Sequence, residues 1–234
     1  MQSTKTTTRR GLIETGAAMG GGILIAAIGL GAKEEKPQHE EEKVSPPEDL
    51  MREHGVLKRV MLVYEEIAHR IDRKQDFPPQ ALVDAANIIR SFVEDYHEKL
   101  EENYLFPRFQ KANKLADLVQ VLLEQHQAGR RVTDVILRLS GAGALKEASE
   151  RAELVNAIAQ FNRMYAPHEA REDTVLFPAF HGIVSANEFD SLGEEFEKKE
   201  NELFGEDGFE KMVDKVAGIE KSLGIYELSQ FTPH

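Results

Sequence analysis

The sequence predicts an all-α protein, an up-and-down four-helix bundle with two additional C-terminal helices. Three observations lead there. Apolar residues recur at helical spacing along four long stretches. Prolines or a Gly-rich turn separate those stretches by short links, the pattern of neighbouring antiparallel helices. A block built on His and Glu occurs twice, so that the helices form two equivalent pairs.

The elements follow in order. Pro46 and Pro47 stand where a helix can begin, since a proline in the first turn gives up no hydrogen bond. Glu48 and Asp49 add negative charge at the positive end of the helix dipole. The first long helix is expected over about Glu48 to Arg73, with Leu50, His54, Leu57, Met61, Tyr64 and Ile71 at helical spacing. Pro78 and Pro79 break it. The second is expected over Gln80 to Phe106, stopped by Pro107, and the third over Asn113 to Leu139. Ser140 to Gly143 is a turn, and the fourth is expected over Leu145 to Phe177, ended by Pro178. Two shorter amphipathic helices, Glu188 to Phe204 and Phe209 to Leu223, complete the chain. They pack on the bundle or serve as a homodimer face.

The N-terminus reads differently. Arg9 and Arg10 precede an uncharged stretch, Thr15 to Ala32, that is rich in Gly, Ala, Ile and Leu, the order of an export signal. The segment from Thr8 to Glu14 resembles a twin-arginine signal, departing from it at Glu14. The expectation is a periplasmic or otherwise extracytoplasmic protein, membrane-anchored if the segment is retained. The domain plan is therefore a signal or anchor at 1–32, a charged linker at 33–46, the bundle at 47–180 and a helical extension with its tail at 181–234.

The chain has 234 residues, no Cys, no Trp and a formal net charge of -12. A field of that sign disfavours nucleic acid, and it leaves the N-terminal segment as the route to a membrane. Without disulfides, stability must come from packing and from whatever the core binds.

The internal repeat carries the chemistry. His97-Glu98-Lys99-Leu100-Glu101-Glu102-Asn103-Tyr104-Leu105-Phe106-Pro107 matches the block from His168 to Pro178, both reading His-Glu-x-x-Glu-acid-x-x-Leu-Phe-Pro. Upstream, the run from His54 to Val60 aligns with that from His126 to Val132. His54 and His97 stand 43 apart, and His126 and His168 stand 42 apart. In antiparallel neighbours these depths coincide, and a His and Glu four apart share one helix face. Two buried carboxylates beside four histidines are costly unless cations neutralise them. The candidate metal ligands are therefore His54, His97, Glu101, His126, His168 and Glu172. A set of N and O donors without sulfur suits iron, manganese or zinc. Two iron ions are expected, joined by an oxo, hydroxo or water bridge. His69 lies too far along its helix to join them, His39 and His234 are in tails, and His181 reads as a surface or capping residue. Glu98, Glu102, Glu169 and Asp173 read by position as solvent-face acids.

With these residues in place, the chain resembles the hemerythrin-like, cation-binding family over about Leu50 to Phe180. The resemblance implies a di-iron centre that meets dioxygen, peroxide or nitric oxide as a small ligand, or that senses oxygen or iron. Oxygen-carrier members place two histidines four apart on the third helix. Here the positions flanking His126 at that distance are Leu122 and Arg130. Those members also put the bridging acid five residues after the last histidine, which is Asp173, whereas the repeat favours Glu172. The expectation is an extracytoplasmic non-haem di-iron protein that binds or reacts with dioxygen or peroxide. The alternatives are iron storage, delivery or sensing, and a structural bundle without redox activity. Arg130, Tyr64, Tyr104 and Tyr165 are candidates to surround the ligands.

Overall fold

The computed structural model describes residues 44–141 and 143–233; the expected export signal and most of the expected linker lie outside these. All regular structure among the described residues is helical. The helix α1 (Pro46–Asp72) begins as its sequence directs, with the Ser45 hydroxyl accepting from Glu48 N–H at 3.4 Å and the two prolines in the first turn. The chain then runs through α2 (Pro79–Ile88), a π-helical stretch (Ile89–His97), α3 (Glu98–Leu100), a π turn (Glu101–Leu105) and α4 (Phe106–Lys111). After α5 (Ala116–Leu139) come α6 (Ala148–Arg171), a second π turn (Glu172–Leu176) and α7 (Phe177–Phe180). The helices α8 (Ala186–Phe204) and α9 (Gly208–Leu223) follow.

The structure corrects the expected helix ends. Pro107 and Pro178 do not stop their helices, which continue to Lys111 and Phe180. In each case a π turn precedes the proline, and Phe106 N–H and Phe177 N–H reach back five residues to the carbonyls of Glu101 and Glu172. The proline then falls in the first turn of the next α segment, where its missing donor costs nothing. The third long helix starts at Ala116 rather than Asn113, because Asn113 and Leu115 take left-handed backbone conformations. The fourth starts at Ala148, after a short 3-10 turn.

Contacts of α1 with α6 and the π turn after it run in opposite chain senses: His54 meets Asp173, whereas Met61 C=O accepts from Asn162 and Tyr64 packs edge-on against Phe161. Buried Leu50, Leu57, Phe92, Phe106, Phe161 and Phe177 belong to a continuous core. The helix α9 lies on α1 and α2, tied there by Arg59, whose guanidinium donates twice to the Glu220 carboxylate at 2.9 and 2.5 Å. From α8, Glu188 accepts from Arg108 and Phe204 packs on Phe92 and Tyr96. No helix among the described residues is long and apolar enough to cross a membrane.

Candidate metal centre

The two histidines of each half meet. His54 and His97 face each other through Nε2 at 3.1 Å, and His126 and His168 do so at 3.2 Å. All four are buried, as are Glu101 and Glu172, both 0 % exposed. Donor atoms of His54, His97 and Glu101 lie within 4.8 Å of one another, as do those of His126, His168 and Glu172.

The glutamates connect the halves. Glu172 Oε2 lies 3.4 Å from His54 Nε2 and 3.1 Å from His168 Nε2. Glu101 Oε2 lies 3.7 Å from His97 Nε2 and 3.4 Å from His126 Nε2. Each carboxylate thus stands between one ring of each half. None of their four oxygens makes a well-formed hydrogen bond, although all are shut away from water and histidine Nε2 atoms lie beside both carboxylates. A buried carboxylate in that condition is among the most expensive groups a protein can hold. Four imidazole nitrogens and two carboxylates converging on one space fit a hard or borderline divalent cation.

The opposite ring nitrogens are also occupied. Asp173 Oδ1 lies 2.7 Å from His54 Nδ1 and Glu53 Oε2 lies 2.8 Å from His97 Nδ1. Glu102 Oε1 lies 3.1 Å from His126 Nδ1 and Gln125 Oε1 lies 2.9 Å from His168 Nδ1. Acceptors there place the proton on Nδ1, orient the ring and leave the Nε2 lone pair toward the centre. The partners obey the repeat. Glu53 and Gln125 directly precede His54 and His126, and Glu102 and Asp173 stand five after His97 and His168. The repeated Phe follows suit, with Phe177 stacked on His54 and Phe106 on His126.

The solvent-face assignment of four acids is therefore corrected. Glu98 and Glu169 are buried, and Glu102 and Asp173 turn to the histidines. A π turn takes more residues per revolution than an α turn, so the residue after each central glutamate stays near the site instead of rotating away. The signal was present in the sequence as the acid repeated after Glu101 and Glu172.

The neighbours sort themselves. Arg130 Nη2 donates to Glu102 at 2.7 Å and pairs with Glu98 at 2.6 Å. Tyr165 donates to Glu98 at 2.7 Å and sets its ring edge-on to His168. Gly129 makes room for it: a Cβ there would collide with the Tyr165 hydroxyl. Tyr104 turns the other way, to Glu195 and Phe196 on α8, and Tyr64 packs in the core on Phe161. His69 lines a surface groove between α1 and α6, and His181 stacks on Phe189.

Burial and the neighbouring charges move these groups in opposite directions. Burial opposes charge on His54, yet Asp173 and Glu172 outweigh it and carry its pKa up to about 9. Burial drives His126 down to about 4, with Glu102 only partly offsetting it. Burial and the Glu172 charge push Glu101 well above the carboxylate range, while His168 and His54 hold Glu172 below it against burial. Burial would raise Glu102 as well, but His126, Lys99 and Arg130 bring it down to about 2.

The Hemerythrin HHE cation binding domain matches residues 45–180. The chain belongs to that family, a family of metal-binding proteins that usually hold iron, and its His and Glu groups could hold a metal. Among its relatives are uncharacterized proteins of Mycobacterium bovis and Mycobacterium tuberculosis, each 49% identical over 232 residues, covering 96% of this chain and 91% of the relative. No solved structure matches the chain.

Proposed function

We propose that this chain is a non-haem di-iron protein that binds or reacts with dioxygen or peroxide outside the cytoplasm. The observation that carries the reading is the pair Glu101 and Glu172, each carboxylate buried, without a well-formed hydrogen bond and placed between one histidine of each half. In this reading His54 and His97 would hold one ion and His126 and His168 the other, with Glu101 and Glu172 shared between them. The four long helices form an up-and-down bundle, and α8 and α9 buttress it. When bound, iron would supply electrons to dioxygen or peroxide, chemistry that the side chains alone do not offer.

The chain's own residues set the conditions. Asp173, Glu53, Glu102 and Gln125 keep each ring in the tautomer that presents Nε2. Phe106 and Phe177 wall the pocket with apolar surface and limit the supply of protons. The extracytoplasmic assignment rests on Arg9, Arg10 and the uncharged stretch after them.

The test is metal analysis of the full chain after anaerobic loading with ferrous iron, joined to an oxygen titration followed in the visible. Two irons per chain and a charge-transfer band that responds to oxygen or peroxide support the proposal. A band that vanishes on deoxygenation identifies carriage; peroxide consumption identifies an enzyme. A chain that binds no iron, or whose iron ignores both oxidants, overturns it.

A further inference from the structure

The two halves of the centre repeat each other in fold and in ligands, but their surroundings differ in charge. Around His54 and His97 stand Asp173, Glu53 and Glu169. Lys58, 53 % exposed, faces two of them, with Nζ 3.6 Å from Asp173 and 3.7 Å from Glu169. Around His126 and His168 stand Glu102 and Glu98, with the amide of Gln125 in the place that Glu53 takes in the other half. There the cation is Arg130, the repeat counterpart of Lys58, 22 % exposed and within 2.7 Å of both carboxylates. Lys99 adds a second positive charge on Glu102, where the other half has Ala170. The first pocket therefore has a carboxylate on the far nitrogen of both rings, and the lysine beside Asp173 and Glu169 is loosely held. The second has two acids, a tightly held arginine, a lysine and a neutral amide.

A divalent ion responds to both differences. A carboxylate on the far ring nitrogen makes an imidazole a stronger donor than an amide does, and such partners typically change metal affinity about 10–100-fold. A fixed guanidinium near a low-dielectric site repels an incoming cation more than an exposed lysine can. Both effects favour the same pocket.

We propose that the two metal positions are unequal: the His54–His97 pocket fills first and binds more tightly, and Glu53 opposite Gln125 is the principal cause. This rests on the two-metal reading above. Glu53 and Gln125 act through His97 and His168, as positioning residues that set the rank of the two ions.

The test is anaerobic calorimetric titration of the metal-free full chain with ferrous iron, with circular dichroism of each metal-free variant as a check on folding. The wild type is expected to bind two ions in steps whose affinities differ by about tenfold or more. Glu53→Gln should weaken the tight step about tenfold and bring the two together, whereas Gln125→Glu should strengthen the weak step and leave the tight one in place. If Glu53→Gln fails to fold, Gln125→Glu alone decides. Two ions of equal affinity in the wild type, or a Gln125→Glu protein with an unchanged weak step, overturn the inequality while leaving the two-metal reading intact. Binding of one ion or none overturns the two-metal reading itself, and the inequality with it.

Discussion

Asp173 Oδ1 lies 2.7 Å from Nδ1 of His54, while Glu172, its neighbour in the chain, faces Nε2 of the same ring at 3.4 Å. Two adjacent acids thus hold opposite edges of one imidazole. They have different work to do, and their substitution should separate. Asp173→Asn keeps an acceptor on Nδ1 but loses the charge, so ferrous iron should bind about tenfold more weakly at unchanged stoichiometry. Glu172→Gln removes a central carboxylate, and the number of ions bound should fall below two. Equilibrium dialysis with metal analysis reads both. Loss of stoichiometry in Asp173→Asn with none in Glu172→Gln would reverse the roles.

Metal removal should be costly to stability. The four orphaned oxygens of Glu101 and Glu172 are tolerable in the loaded protein and a burden in the empty one. Any ligand that binds only the folded state stabilises it, by about 2.7 kcal/mol at a hundredfold excess over Kd. Chelator-treated protein should melt several degrees below loaded protein, and stoichiometric iron should restore the difference. The same comparison in a Glu101→Gln, Glu172→Gln protein should show almost no shift.

Gly129 predicts a packing conflict. A methyl group there would lie 2.8 Å from Tyr165 Cζ and would overlap the hydroxyl. Gly129→Ala gains about 1 kcal/mol of helix propensity, against an overpacking cost of about 1–3 kcal/mol. The expected result is a net loss of stability in urea denaturation. Tyr165→Phe removes the hydroxyl, so it should be less harmful in the Gly129→Ala background than in the wild type. Additive effects would show that the two residues do not share this space.

Glu94 makes stability depend on pH. Burial raises its pKa to about 7, against the pull of Thr133 and of Arg90, which lies 2.9 Å away. A carboxyl whose folded pKa is raised contributes stability that is fully present below its unfolded value and is lost as pH rises through the folded one. In metal-free protein, Glu94→Gln should therefore match or trail the wild type near pH 4. It should exceed the wild type at pH 8, by on the order of 2 kcal/mol. A difference that stays constant across that range would show that Glu94 does not titrate in this window.

Most of the fold was readable in the sequence because helical periodicity is a local property. The stripe from Leu50 to Ile71 and the start at Ser45, Pro46 and Pro47 specify α1 without reference to anything distant. The pairing of the histidines was readable for another reason: the duplicated block supplies its own alignment, and His54 meets His97 as His126 meets His168. The helix ends at Pro107 and Pro178 were not, since a proline reads as a terminator unless a π turn before it removes the conflict.

The sequence by itself determined an all-helical chain, two matched halves and one set of N and O donors that suits cations. Only the tertiary structure decided which acid serves which nitrogen. Helical periodicity places Glu102 and Asp173 on an outer face, and the π turns bring them back to His126 and His54. Each of those contacts joins one half of the repeat to the other, with 119 residues between His54 and Asp173. No local pattern encodes such a pairing. It depends on how the helices rotate as they pack, and that rotation is fixed by the whole core at once.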